Sequence, residues 1–230
     1  MPSTTAAQMA DVDRIASAEL GIPLELLMEN ASHQIGVAAR LFLGGGVAGK
    51  RIVALAGNGN NGGDALGALR HLSGWGADVR AALSGPAERL RPLARRQHDI
   101  LATLGVRVDA AAVDADLLID GLLGYSIAGP PRDAVSDLIR AANASRLPIL
   151  AVDLPSGMNP DTGEPLGITI RAALTVTLAL PKRGLMTTRS RALVGELLLA
   201  DIGIPPLAFD RVGIETRGLF ESGELVRIIR

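Results

Sequence analysis

The sequence predicts an α/β fold: a Rossmann-like three-layer sandwich, with a mainly parallel central sheet and helices on both faces. Two observations carry that expectation. Short apolar runs such as Arg51–Ala56 (RIVALA) and residues 148–153 (PILAVD) alternate with longer segments that read as helix. Strands separated by helices imply right-handed crossovers and a parallel sheet covered on both sides. In addition, three of these strands run directly into loops rich in Gly, Asn, Asp and Ser. The carboxyl ends of strands are where open parallel sheets bind ligands.

In chain order, Met9, Val12, Ile15 and Ala16 keep a 3–4 spacing that predicts a helix, broken at Gly21-Ile22-Pro23. A second helix is expected over 24–43, stopped by Gly44-Gly45-Gly46. Arg51–Ala56 is a buried strand, 64–73 a helix and 79–83 a second strand. Residues 87–104 read as one long helix, and 117–120 as a strand preceded by a short one near 106–108. Helix is expected over 133–144, and strands over 148–153, 174–180 and 196–200. No repeat, low-complexity tract or Pro/Gly/Ser linker divides the 230 residues, so 1–230 reads as a single domain. Residues 207–230 are a tail without an assigned element.

Composition narrows the function. A net charge of −1 gives no reason to expect nucleic-acid binding, and aromatics at 2% provide no base-stacking platform. With no cysteine, disulfides, thiolate metal sites and cysteine nucleophiles are excluded. The first 14 residues hold no apolar stretch of the kind a secretory signal needs, and no run approaches the roughly 20 apolar residues of a membrane helix. A cytoplasmic protein is expected.

The chemistry is expected at the strand ends. Strand one is followed by Gly57-Asn58-Gly59-Asn60-Asn61-Gly62-Gly63-Asp64, the 117–120 strand ends in Asp120, and PILAVD ends in Asp153 before Leu-Pro-Ser156-Gly. Gly57, Gly59 and Gly62 match the dinucleotide fingerprint, but strand two ends at Ser84 rather than in the acid that would hold a ribose. An ordinary NAD-dependent dehydrogenase is therefore disfavoured, although backbone N–H groups at a helix start can still cradle an anion. Plainer roles stand beside these. Asp64 can be a helix N-cap, Asn60 and Asn61 left-handed turn residues, and Asp153 a turn former. His33, His71 and His98 read as structural or solvated, Trp75 as closing a helix end, and 89–96 as a solvated basic face. Asp120 is harder to dismiss, since a carboxylate at a buried strand end must be paired or solvated.

Several segments together resemble the YjeF N-terminal domain family, the NAD(P)H-hydrate (NAD(P)HX) epimerases. They are LGIPLELLMENASHQIG, GNGNNGGDA, DLLIDGLLGYSIAGPPR, AVDLPSGMNPDTGE, LTVTLALPKRGLMT and LLLADIGIPP, in the family's order. Ala65 departs from the family's Gly, and Tyr125-Ser126-Ile127 from its common Thr-Gly. The resemblance implies an isomerase that interconverts the R and S forms of hydrated NADH and NADPH. Asn60, Asn61, Gly62, Gly63 and Asp64 would contact the substrate, as would Gly124, Tyr125, Ser126, Ile127, Ala128, Gly129 and Pro130. Asp153 would touch the hydrated ring and act as the acid/base group. It also implies a potassium ion (K+) on Asn61, Asp120 and Ser156, and a phosphate neutralised by Lys182. A homodimer is implied as well, with Leu24, Leu27, Met28 and Ile35 as a candidate contact face and their own sheet as the alternative. The same resemblance implies a separate NAD(P)HX dehydratase working alongside. A catalytically silent binding or scaffold module is the rival reading.

Overall fold

The computed structural model describes residues 1–108 and 115–229. Its centre is one seven-stranded sheet in the order β2-β1-β3-β4-β5-β6-β7. The strands are β1 (Arg51–Ala56), β2 (Asp78–Leu83), β3 (Leu117–Gly121), β4 (Ile149–Val152), β5 (Leu174–Leu178), β6 (Glu196–Ala200) and β7 (Leu225–Arg227). The first six are parallel, and β7 adds antiparallel to β6. The helices are α1 (Ala6–Arg14), α2 (Leu24–Phe42), α3 (Asn60–Gly74), α4 (Pro92–Thr103), α5 (Asp133–Ser145) and the short α6 (Arg191–Val194) and α7 (Pro206–Asp210). A wider π-turn over Ile15–Glu19 extends α1.

Alternate residues of each strand enter opposite cores, as the two-residue period of a strand requires. Ile52, Ala54, Ile119, Leu150 and Val152 pack with Val12, Ile35, Leu66 and Leu69 from α1 to α3. Val53, Leu55, Leu118 and Ala151 pack with Ile139 and Ala142 of α5. These are the two outer layers of the sandwich.

Some boundaries differ from the sequence reading. α3 begins at Asn60, with Gly59 as its N-cap, so Asp64 lies inside the helix and is no cap. Asn60 and Asn61 have helical rather than left-handed backbone. The 87–104 helix is interrupted: a 3₁₀ turn at Ala87–Arg89 precedes α4, because Arg91 before Pro92 is held extended (ψ 156°). Near 106–108 there is a single parallel bridge, Arg80 to Arg107. The tail supplies α7 and β7, closing the sheet's edge. Of the candidate dimer face, Leu27, Met28 and Ile35 are 6%, 5% and 0% exposed and pack inside the protein, while Leu24 is 40% exposed. Among the described residues, no helix is long and apolar enough to cross a membrane.

Candidate functional site

The β1–α3 crossing is close enough to require glycine. A Cβ on Gly57 would lie 1.9 Å from the Leu122 carbonyl, and one on Gly62 would lie 2.0 Å from the Gly57 carbonyl. This tight seat brings the start of α3 against the loop after β3. There Asn61 Nδ2 donates to the Leu123 carbonyl at 3.1 Å.

Asp120 is fully buried at the end of β3. Its carboxylate accepts from Ser156 Oγ (2.6 Å), Ser156 N (2.8 Å) and Leu122 N (3.2 Å). Ser156 Oγ also accepts from Leu123 N at 2.9 Å. Asn61, Asp120 and Ser156, predicted from three separate segments, thus meet around Leu122 and Leu123. Burial pushes the Asp120 carboxyl up to about 6, against the lowering pull of the Ser156 and Leu122 donors. Among the described residues its hydrogen-bond partners are all neutral, and no group of three His, Cys, Asp or Glu side chains can hold a metal. One carboxylate with neutral amide and hydroxyl oxygens fits a hard cation of low charge.

Asp153 follows β4 in left-handed backbone (φ 66°), which Asp tolerates better than most side chains. It pairs with Lys182, and both are almost fully buried, at 5% and 1% side-chain exposure. Thr177 Oγ1 (3.3 Å) and Leu178 N (3.2 Å) also donate to Asp153, and Lys182 Nζ donates to the Leu178 carbonyl at 3.1 Å. The ammonium is paired with Asp153 where both border the cavity, so any phosphate it neutralised would share it with that carboxylate.

These groups border a cavity of about 560 Å³ at the carboxyl rim. Of the expected contact residues, Asn60, Asn61, Asp64, Gly124, Tyr125, Ser126, Ile127 and Asp153 line it. Gly62, Gly63, Ala128, Gly129 and Pro130 do not. Gly62 and Gly63 are instead packed against Gly57 and Met28. Asp120 and Ser156 sit behind the cavity wall. Ala65 also misses the cavity, because its methyl faces Gly121, where another Cβ would come within 2.5 Å.

Four polar or charged lining residues, Asp13, Asn58, Ser84 and Arg91, were not named from sequence as site members. Asn58 follows β1, Arg91 precedes α4 and donates its N–H to the Asn58 carbonyl at 2.8 Å, and Asp13 arrives from α1. Tyr125 Oη donates to Asp13 Oδ2 at 2.5 Å. Burial raises the Asp13 carboxyl above its usual range, opposed by that phenol. Burial, then the neighbouring Asp153 and Asp13 charges, raise Asp64 well above it. No short motif marks Asp13 as functional. Only folding carries α1 to a loop 112 positions away.

A family model described as "YjeF-related protein N-terminus" matches residues 24–184. The NAD(P)H-hydrate epimerase of Dehalogenimonas lykanthroporepellens is 39% identical over 96% of this chain and 90% of its own length. That of Limosilactobacillus fermentum is 38% identical over 86% of this chain and 95% of its own. The bifunctional NAD(P)H-hydrate repair enzyme Nnr of Moorella thermoacetica is 39% identical, but the match spans only 40% of that longer protein. The crystal structure of yeast ynu0 shares the fold, with a TM-score of 0.86 at 23% identity over 99% of this chain and 100% of that one.

Proposed function

The chain belongs to the YjeF-related protein N-terminus family, and from that premise we propose that it is an NAD(P)H-hydrate epimerase. As an isomerase, it interconverts the R and S forms of hydrated NADH and NADPH. The observation that carries this reading is the near full-length match to dedicated epimerases, with Asp64 and Asp153 lining one cavity at the carboxyl rim.

Inversion at C6 of the hydrated ring proceeds by loss of the hydroxyl, assisted by the ring nitrogen's lone pair, and return of water to the other face. Asp153 is the acid/base group that faces the ring. Lys182 fixes its position and places N–H donors beside it. The N-terminus of α3, with Asn60 and Asn61, cradles the nucleotide's phosphates on backbone N–H groups. Asp64 and the 124–127 segment complete the contacts. Potassium is part of the proposal: Asn61, Asp120 and Ser156 would hold it, and bound there it neutralises Asp120 beside an anionic substrate. Calorimetry on Asp120→Ala should show weaker binding of both potassium and nucleotide. Unchanged affinity for both would remove the cation assignment.

A cytoplasmic setting, cooperation with a separate dehydratase and a homodimer belong to the same reading. The dimer contact would then use the exposed Leu26, Leu41 and Phe42 of α2 rather than its buried face. To test the activity, one pure epimer of NADHX is incubated with the protein and the two forms are separated by chromatography. The epimers should reach equilibrium well ahead of the protein-free blank. Equilibration at the blank rate would refute the proposal.

A further inference from the structure

We propose that Tyr125 and Asp13 form a second acid–base pair of this epimerase, with the Tyr125 hydroxyl meeting the C6 oxygen and Asp13 supplying or taking the proton behind it. The proposal rests on the epimerase reading and deepens it. Its starting point is a stereochemical requirement. The hydroxyl leaves one face of the ring and water returns to the other. A single carboxyl group serves both faces only if it can swing between them. Asp153 cannot swing, because Lys182, Thr177 and Leu178 N all hold it and it is 4% exposed.

The Tyr125–Asp13 pair meets the remaining need. Both residues line the cavity. The phenol donates to the carboxylate at 2.5 Å, which leaves its oxygen lone pairs free to accept a proton from a second partner. The Tyr125 ring lies under Lys182, with Nζ 5.6 Å from its centroid, so the two pairs are neighbours. The charged groups that act on Asp13 are Lys182, Asp153 and Asp64. On its own helix, Asp11 and Arg14 pair with each other in solvent, 60% and 57% exposed.

In one direction, Asp13 in its acid form passes a proton to the Tyr125 oxygen as Tyr125 passes its own to the departing hydroxyl. The C6–O bond breaks with both electrons on oxygen, and the ring nitrogen's lone pair forms a C=N bond. Water then attacks C6 from the opposite face, the C=N electrons return to nitrogen, and the water's proton goes to Asp153. In the other direction the two pairs exchange roles, and proton exchange with solvent through the cavity resets them.

The test is steady-state kinetics on Tyr125→Phe and Asp13→Asn with each epimer of NADHX, beside an Asp11→Asn control. Both site variants should lose about 10²-fold in kcat, the lower part of the usual acid–base range. KM should stay within a few-fold, melting temperature should be retained by Tyr125→Phe, and the control should be unchanged. Wild-type kcat in both variants, or a raised KM with kcat intact, would show a mere clasp and overturn the proposal. If Asp13→Asn fails to fold, Tyr125→Phe decides alone, since it deletes one hydroxyl. A wild-type chain active only at the blank rate refutes the epimerase reading and this pair with it.

Discussion

Asp153 and Lys182 combine structural and chemical roles that mutation can separate. The acid at the end of β4 was legible in sequence as a strand-end carboxylate, with a turn-forming role as its alternative, and its contact with the ring came from the family resemblance. Its partner was not, since Lys182 follows β5 and only the β4–β5 pairing brings the two together. Removing one member of a buried ion pair strands the other charge and typically costs about 3–5 kcal/mol. Asp153→Asn and Lys182→Met should each lower stability by about that amount in urea unfolding. The double variant should recover most of it, because no lone charge remains. All three should lose activity, by about 10²–10⁴-fold where Asp153 is replaced. A double variant that regains both stability and catalysis would assign the pair a purely structural role.

Helix α3 is the element that both builds the site and misled the sequence reading. Asn and Gly are turn formers, so Asn60-Asn61-Gly62-Gly63 read as loop. Packing overrides that preference, because the first turn must lie against Gly57 and the 122–123 segment. Gly62 can be tested directly. A methyl there meets the Gly57 carbonyl at 2.0 Å, whereas one on Gly74 at the other end of the helix meets nothing within 4 Å. Gly62→Ala should destabilise by about 1–3 kcal/mol or more through overpacking, and should disturb the cavity as well. Gly74→Ala should be neutral, or stabilising by up to about 1 kcal/mol. Thermal unfolding of the two variants gives the comparison, and equal melting temperatures would contradict this account of the crossing. The strands β1 and β6 were read correctly to the residue because each is a short apolar run between sharp breaks. The interruption before α4 and the edge strand β7 were missed. The first turns on one proline within an otherwise helical pattern, and the second is three half-exposed residues that gain strand geometry only by pairing with β6.

At the scale of the whole molecule, the sheet order decides what meets. β1, β3 and β4 are neighbours, so the loops after them share one rim and Asn61, Asp120 and Ser156 converge. That convergence was legible because each motif followed its own strand in an expected parallel sheet. The contribution of α1 was not, because a helix before the first strand has no position fixed by the βαβ rules. The central claim is that this cavity inverts C6 of a hydrated nicotinamide nucleotide. The most direct measurement mixes R-NADHX with an S-specific dehydratase, with and without this protein in potassium buffer, and follows NADH recovery by absorbance. The account predicts recovery of the R form at a rate that rises with protein concentration, well above the spontaneous blank. Recovery at the blank rate, from protein shown to be folded, would contradict it.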